Sequence, residues 1–374
     1  MSFQKFLGGI LMINELKETQ ALIDKIRFTN ISIEDIEDLD RLQEQEYLTK
    51  ESGKMKYITS SGKEFNRLVI KDDVVDIFNA GMANNLNGYC TPRTKMELSI
   101  HGKPDGNLYC NTVLEYEDQL IQTQEHLWNK YGVKTNAENV KVSYIEINKT
   151  FRLKYPFAEY KRAIILLMSR LPKNMGVHMD FKTLSNREYQ VNDFAVANKS
   201  RAIKIYNKSL QMQIEAQGEL MRVELTLENP KAVEKAFKTN LWNELTDEVI
   251  NEYFIRQMKK LFADPVERWK AQQKKKIVKM MEEKKDKEHH WIGAVLGCLQ
   301  DEEVLTGIPQ MMDIKELLPI VDQVVASRRK KRTKEQFIKQ AQNVQTAFNN
   351  RDDEKLKEIL KKMMSVPDGH GSDQ

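Results

Sequence analysis

The chain has 374 residues, with 59 Lys and Arg against 55 Asp and Glu, so a formal charge of only +4 sits on a chain in which 30% of residues are charged. That length allows two or three domains with at least one sizeable core, and so small a net charge names no partner by itself. Three widely spaced cysteines, Cys90, Cys110 and Cys298, exclude a disulfide scaffold and a Cys-x-x-Cys zinc knuckle and point to a reducing compartment.

The longest apolar run, Phe6 to Ile13, is far shorter than the roughly 20 residues a membrane span needs, and no small-residue cleavage site follows it. The first 20 residues read as a short amphipathic helix, with Leu16, Leu22 and Ile23 as apolar candidates. Ile23 to Ile33, with Ile26, Phe28 and Ile31 among polar neighbours, predicts a strand. Ser32-Ile33-Glu34-Asp35 then predicts a helix start with Ser32 as N-cap, running to about Leu48. From Gly53 to Asn107 the chain reads as sheet and loops. Strands are expected at Tyr57 to Ser60, Arg67 to Ile70 and Lys95 to Ile100, with turns at Asn87-Gly88 and Pro104-Asp105-Gly106.

A long helix is expected from Thr112 to Tyr131, its apolar side formed by Leu114, Leu120, Ile121, His126 and Leu127. A strand at Val140 to Thr150, a helix at Ala158 to Leu171 and strands near Arg187 to Val191, Arg201 to Tyr206 and Leu220 to Leu227 follow. Beyond Asn229-Pro230 strand patterns vanish and Lys231 to Met364 is helical in pattern, which marks a domain boundary. This second part carries two basic runs. Trp269 to Lys287 holds eight basic and three acidic residues, a balance equally suited to a solvated helix face. Arg328, Arg329, Lys330, Lys331, Arg332 and Lys334 are six cations in seven positions, the density that phosphate neutralisation requires. Ser365 to Gln374 reads as a disordered tail.

Four strands read with period two supply the chemistry. Met96 and Leu98 leave Glu97, Ser99 and His101 on the other face, and Ile145 and Ile147 alternate with Tyr144, Glu146 and Asn148. Met221, Val223, Leu225 and Leu227 leave Arg222, Glu224 and Thr226, while Ile203 and Ile205 leave Lys204 and Tyr206. If these polar faces coincide in one sheet, they gather Glu97, Glu146, Glu224, Tyr206, Lys204 and Arg222. Carboxylates on rigid strands suit hard cations such as Mg2+ or Mn2+. A tyrosine beside a metal and cations suits attack on a phosphodiester. Free tyrosine is ionised in only about one molecule per thousand at neutral pH, so the neighbouring cations are expected to assist it. Phosphate-loop, serine-elbow and dinucleotide fingerprints are all absent from the sequence.

Arg201-Ala-Ile-Lys-Ile-Tyr-Asn-Lys-Ser-Leu-Gln-Met-Gln-Ile, followed by Gly218-Glu-Leu-Met-Arg-Val-Glu-Leu-Thr-Leu-Glu, resembles the tyrosine region of the gene II/X family of phage and plasmid replication proteins. Leu22-Ile-Asp-Lys-Ile-Arg-Phe resembles its opening strand, Met96-Glu-Leu-Ser-Ile its glutamate strand, and Val142-Ser-Tyr-Ile-Glu-Ile-Asn-Lys-Thr-Phe its acidic strand. Together these pieces span about residues 22 to 230.

The resemblance implies a rolling-circle replication initiator that nicks one strand at an origin and stays joined to the 5′ end through a phosphotyrosine. Tyr206 would be the nucleophile, Lys208 and Arg222 the catalytic cations, and Glu97, Glu146 and Glu224 the holders of Mg2+ or Mn2+, while the residue pattern itself adds Lys204 to the cations and the lone His101 as a candidate metal ligand. The chain departs from the family in several places, and its first 21 residues have no counterpart there. Glu146 stands where relatives can carry Asp, the loop Ser99 to Leu108 is unlike theirs, and the His-hydrophobic-His motif of the wider nuclease group is missing.

The expected fold is α+β. A mostly antiparallel sheet with flanking helices, residues 22–230, follows an N-terminal extension of residues 1–21 and precedes a mainly helical, basic domain of residues 231–364. Expected partners are double-stranded origin DNA, the nicked single strand, and a host helicase and polymerase, in the bacterial cytoplasm and with no membrane. A conjugative relaxase with the same chemistry and a non-enzymatic DNA-binding regulator are the alternatives.

Overall fold

The alternation of apolar and polar residues along segments of three to twelve residues builds one large sheet in the computed structural model. The structure describes residues 20–49, 55–84, 89–99, 110–171, 176–178, 193–212, 219–287, 290–306, 309, 314–343 and 350–365. The N-terminal half contains β1 (Leu22–Thr29), β2 (Ser32–Ile36), α1 (Leu39–Glu44), β3 (Tyr57–Ile58), β4 (Glu64–Phe65), β5 (Arg67–Ile70), β6 (Ile77–Asn84), β7 (Cys90–Ser99), α2 (Val113–Tyr131), β8 (Val133–Asn136) and β9 (Lys141–Arg152). Then come α3 (Lys161–Ser169), β10 (Gly176–His178), β11 (Asp193–Ala197), β12 (Arg201–Asn207), the one-turn α4 (Lys208–Gln211) and β13 (Leu220–Leu227). After β13 the described elements are helical: α5 (Pro230–Phe237), α6 (Asp247–Met258), α7 (Asp264–Lys284), α8 (Trp291–Thr306), α9 (Ile314–Val324), α10 (Lys330–Asn343) and α11 (Asn350–Met364).

The fold is α+β, and its nine-stranded sheet runs β10-β11-β12-β13-β9-β1-β7-β6-β5 with every described pairing antiparallel. Its core face is made by Ile23, Ile26 and Phe28 of β1, Ile145 and Ile147 of β9, Val223, Leu225 and Leu227 of β13, and Ile203 and Ile205 of β12, all fully buried. α3, α5 and α6 lie against β11, β9 and β1. Phe28 meets Trp242 edge-on with ring centroids 5.1 Å apart. Truncating so enclosed a ring to Ala would cost about 3–5 kcal/mol. The last helix returns to the sheet, where the buried Lys149 of β9 donates to the carbonyl and hydroxyl of Ser365 and Lys362 donates to the Arg152 carbonyl.

Two expectations need correction. Ser32 does not start a helix, because Ile33 and Ile36 are buried and Ser32–Ile36 pairs with β8 instead. The short α1 begins after Asp38, whose side chain accepts from Arg41 N. α2 does begin at Thr112, with a complete capping box to Glu115, but its buried side is Tyr116, Leu120, Thr123, Leu127 and Tyr131. Leu114 and Ile121 are 66% and 50% exposed. The two tyrosines, apolar in body and polar only at the tip, carry the stripe that the aliphatic residues alone misplace. α2 ends at Gly132, whose φ of +66° suits a residue without Cβ and where an added Cβ would press on Glu37 Cβ at 2.9 Å. The expected N-terminal helix, both expected turns, the strand near Arg187 to Val191 and residues 366–374 of the tail lie outside the described residues.

The helices after β13 are knitted by charge. Lys270 of α7 is buried against Asp353 of α11 at 2.6 Å and Glu316 of α9 at 3.2 Å, and Lys274 and Lys357 also reach Glu316, at 3.1 and 3.3 Å. Lys276 pairs with Glu302 of α8. Lys270, Lys274 and Lys276 of the first basic run are thus paired within the helical layer. No described helix is long and apolar enough to cross a membrane.

Asp72, in the turn after β5, ties that edge of the sheet to α2. Its Oδ2 takes Nε2 of His126 at 2.7 Å, the Tyr131 hydroxyl at 2.7 Å and Lys130 Nζ at 3.0 Å, while Oδ1 accepts from Val74 N and Val75 N. Burial opposes ionisation of this carboxyl, but His126, Tyr131 and the two amides outweigh it and hold it well below the usual carboxylate range. A carboxyl lowered on folding stabilises fully above its unfolded pKa of about 4 and loses that contribution as pH falls further. Asp72→Asn should therefore lower stability by about 1.5–3 kcal/mol at pH 7, with the gap from wild type narrowing below about pH 4 in urea unfolding. A gap independent of pH would contradict this.

Candidate active site

Four adjacent strands, β12-β13-β9-β1, turn their second faces toward one point. Register brings Lys204, Glu224 and Asn148 into one cross-strand row, and Tyr206, Arg222 and Thr150 into the next. Thr226 of β13, Glu146 of β9 and Lys25 of β1 form a third. β1 contributes through an irregularity. Its pairing with β9 shifts between Ile23 and Lys25, leaving Asp24 as the extra residue of a bulge. Ile23 and Ile26 both stay in the core, so Asp24 and Lys25 both point to the polar side. The Tyr116 hydroxyl of α2 donates to the bulged Asp24 carbonyl at 2.6 Å and pins it.

Asp24, Glu146 and Glu224 each present a carboxylate oxygen, and these oxygens lie within 4.8 Å of one another. Three buried or half-buried carboxylates so close cannot all ionise freely. Burial, then the charge of Glu224, pushes Glu146 up to about 7, and Glu146 bonds Glu224 side chain to side chain. Burial also raises Asp24, against the pull of Arg222. Burial opposes ionisation of Glu224 too, but Lys204, Glu146, Tyr206 and Arg222 outweigh it and hold it below the ordinary range. An all-oxygen set under like-charge stress is what a hard divalent cation relieves, so these three residues fit a metal ion.

The cations and the tyrosine surround this cluster. Lys204 Nζ lies 3.2 Å from Glu224 and 3.7 Å from Glu146, with its side chain 48% exposed. The Tyr206 hydroxyl donates to Glu224 Oε1 at 2.5 Å, and the residue is only 7% exposed. Arg222 is fully buried, donates Nε to Thr150 Oγ1 at 2.8 Å and pairs with Asp24 at 3.7 Å. Lys208 is buried at the start of α4, and burial, then Arg222, pushes its ammonium down to about 8. Cys110 donates to Asn148 Oδ1 at 3.0 Å, its thiol pushed up to about 12 by burial.

Of the residues singled out from sequence, Glu146, Glu224, Lys204, Tyr206, Arg222 and Lys208 come together. Glu97 does not join the cluster. It lies on β7, beyond β1, and its carboxylate is engaged by Lys25 at 2.6 Å, Arg27 at 2.6 Å and Lys95 at 3.8 Å. His101 lies outside the described residues. Asp24 is the carboxylate that sequence reasoning missed. Its signal was a break in phase, since Ile23, Ile26 and Phe28 cannot share one face of a regular strand. The expectation that cations assist ionisation of Tyr206 also changes. Burial, then Glu224, drives this hydroxyl well above the ordinary tyrosine range despite Arg222, so at rest it is a proton donor.

No protein-family model matches the chain, and no curated protein does. Among solved structures it is similar to a rolling-circle replication initiator protein from Geobacillus stearothermophilus, at 11% identity over 65% of this chain and 85% of that one. At a TM-score of 0.30 this likeness carries no argument by itself.

Glu146→Gln removes one carboxylate from a cluster already crowded with like charge, so the cation-free protein should keep its stability. Wild type should gain about 2.7 kcal/mol at a cation concentration a hundred times its Kd, and the Gln variant clearly less. Thermal unfolding in rising Mg2+, Mn2+ or Ca2+ measures both. An equal gain in the two proteins would place the cation elsewhere.

Proposed function

We propose that the chain is a rolling-circle replication initiator, a nicking and joining endonuclease that cuts one DNA strand at an origin through a 5′-phosphotyrosine at Tyr206. The observation that carries this reading is the Tyr206 hydroxyl bonded at 2.5 Å to Glu224, a carboxylate that also belongs to the converging trio. A buried tyrosine with a proton acceptor in contact and three cations around it is arranged for attack on an anionic ester.

In this reading Tyr206 Oη attacks the scissile phosphorus while its proton passes to Glu224. The bond from phosphorus to the 3′-oxygen breaks, and Lys208, the cation most ready to release a proton, supplies one to that oxygen. Arg222 and Lys204 offset the charge that grows on the phosphoryl oxygens. Asp24, Glu146 and Glu224 would hold Mg2+ or Mn2+, which when bound polarises a phosphoryl oxygen. Because the phosphotyrosine conserves the ester, a 3′-hydroxyl can later attack it, returning the proton to Tyr206 and joining the strand without ATP.

Residues 22–230 would form the catalytic unit and residues 231–364 the part that holds duplex origin DNA. Arg328, Arg329, Lys331 and Arg332 are exposed at the start of α10, with Lys330 half-buried, whereas Lys334 is paired with Asp322 at 2.7 Å. Such a protein would work in the bacterial cytoplasm with a host helicase and polymerase.

Tyr206→Phe should reduce nicking of a supercoiled replicon in Mn2+ by at least about 10⁴-fold and abolish the DNA-linked protein band, while duplex binding persists. Nicking at the wild-type rate by this variant would sink the assignment.

A further inference from the structure

The polar face of the sheet continues past the carboxylates, over β9, β1, β7, β6 and β5, a width of about 19 Å at the usual strand spacing. Opposite the buried Ile26, Phe28, Met96, Leu68 and Ala80 stand Lys25, Arg27, Arg67, Arg93, Lys95 and Tyr144. Lys25, Arg27 and Lys95 share the carboxylate of Glu97, and Lys25 also lies 4.0 Å from Asp76.

Two details give this surface a shape. The Arg27 guanidinium lies over the Tyr144 ring at 4.8 Å, and the Tyr144 hydroxyl donates to Glu146 Oε2 at 2.9 Å, so a planar pair abuts the carboxylate cluster. At the far side Arg93 and Arg67 are both paired with Gly81, one on each flank. That row therefore holds two exposed guanidinium groups with no side chain between them. Arg67 is steadied by donating Nε to Asn79 at 3.2 Å.

We infer that this face is the track along which a single DNA strand lies as it enters or leaves the Tyr206 centre, with bases stacking at Arg27 and Tyr144 and phosphates taken by Lys25, Lys95, Arg93 and Arg67. Cations interleaved with a planar platform bind single strands, because only unpaired bases expose a face for stacking. The near-complete burial of Tyr206 also favours a strand that can follow the sheet surface down to it. The inference rests on the nicking reading above for the strand's destination, but the binding itself can be measured without cleavage.

The test uses full-length protein carrying Tyr206→Phe and a fluorescent oligothymidylate, with a duplex of equal length as comparison, in the absence of divalent cation. Adding Arg67→Glu, Arg93→Glu and Lys95→Glu together should weaken oligothymidylate binding roughly tenfold or more and lower its log–log salt slope by about 2. Tyr144→Leu should weaken it about fivefold or more, and Tyr144→Phe, which keeps the ring, should bind as the parent does. Parent-like affinity and salt slope in the triple variant, with an unchanged melting temperature, would overturn the track. An equal loss of duplex binding would overturn its single-strand character. Failure of the Tyr206-intact protein to form a DNA adduct would sink the nicking reading while leaving the track standing.

Discussion

One extra residue in β1 holds the candidate site together. A regular strand from Ile23 to Phe28 could not keep Ile23, Ile26 and Phe28 all in the core, and the bulge at Asp24 resolves that conflict. It delivers an acid to the polar face without exposing an apolar neighbour, and the Tyr116 hydroxyl takes up the carbonyl that the bulge frees. α2 is in turn anchored to the sheet edge through Asp72. The position of one carboxylate thus depends on a helix that contributes no side chain to the cluster.

Around Asp24 the site is a standoff of like charges on both sides. Burial, with the charge of Glu224, raises both Glu146 and Asp24, and among the cations burial, then Arg222, lowers Lys208. Lys204, Arg222 and Tyr206 meet the carboxylates at close range, so the whole is nearly balanced, yet individual protons are held loosely near neutrality on Glu146 and Lys208. Such an arrangement is costly for folding and suited to moving protons, and it is built on central strands where backbone pairing absorbs the strain.

The helices after β13 show the opposite use of charge. Lys270, Lys274, Lys276 and Lys357 face acidic partners on neighbouring helices, so these four cations tie the helices together. The denser run keeps Arg328, Arg329, Lys331 and Arg332 exposed, and Lys275, Lys279, Lys285 and Lys287 of the first run are exposed too. Composition could not separate these two runs, since each is rich in Lys and Arg. What the structure adds is which individual cations, such as Lys270 of the first run and Lys334 of the second, have an acid of another helix opposite them.

The alternation along β9, β12 and β13 was legible in the sequence because it is local: each residue's face follows from its neighbours'. It sufficed to set Glu146, Lys204, Tyr206, Arg222 and Glu224 on polar faces, and the Thr112 capping box likewise announced where α2 begins. Period two says nothing, however, of which strand lies beside which. Glu97 has as good a local pattern as Glu146, yet β1 intervenes between their strands and Lys25 and Arg27 claim its carboxylate. Asp24 has a poor pattern and sits in the cluster. Strand order and register are set by contacts between residues up to 126 positions apart, such as Leu22 with Asn148 and Glu224 with Asn148. The sequence by itself determined which side chains could face the same way, and only the tertiary structure decided which of them meet.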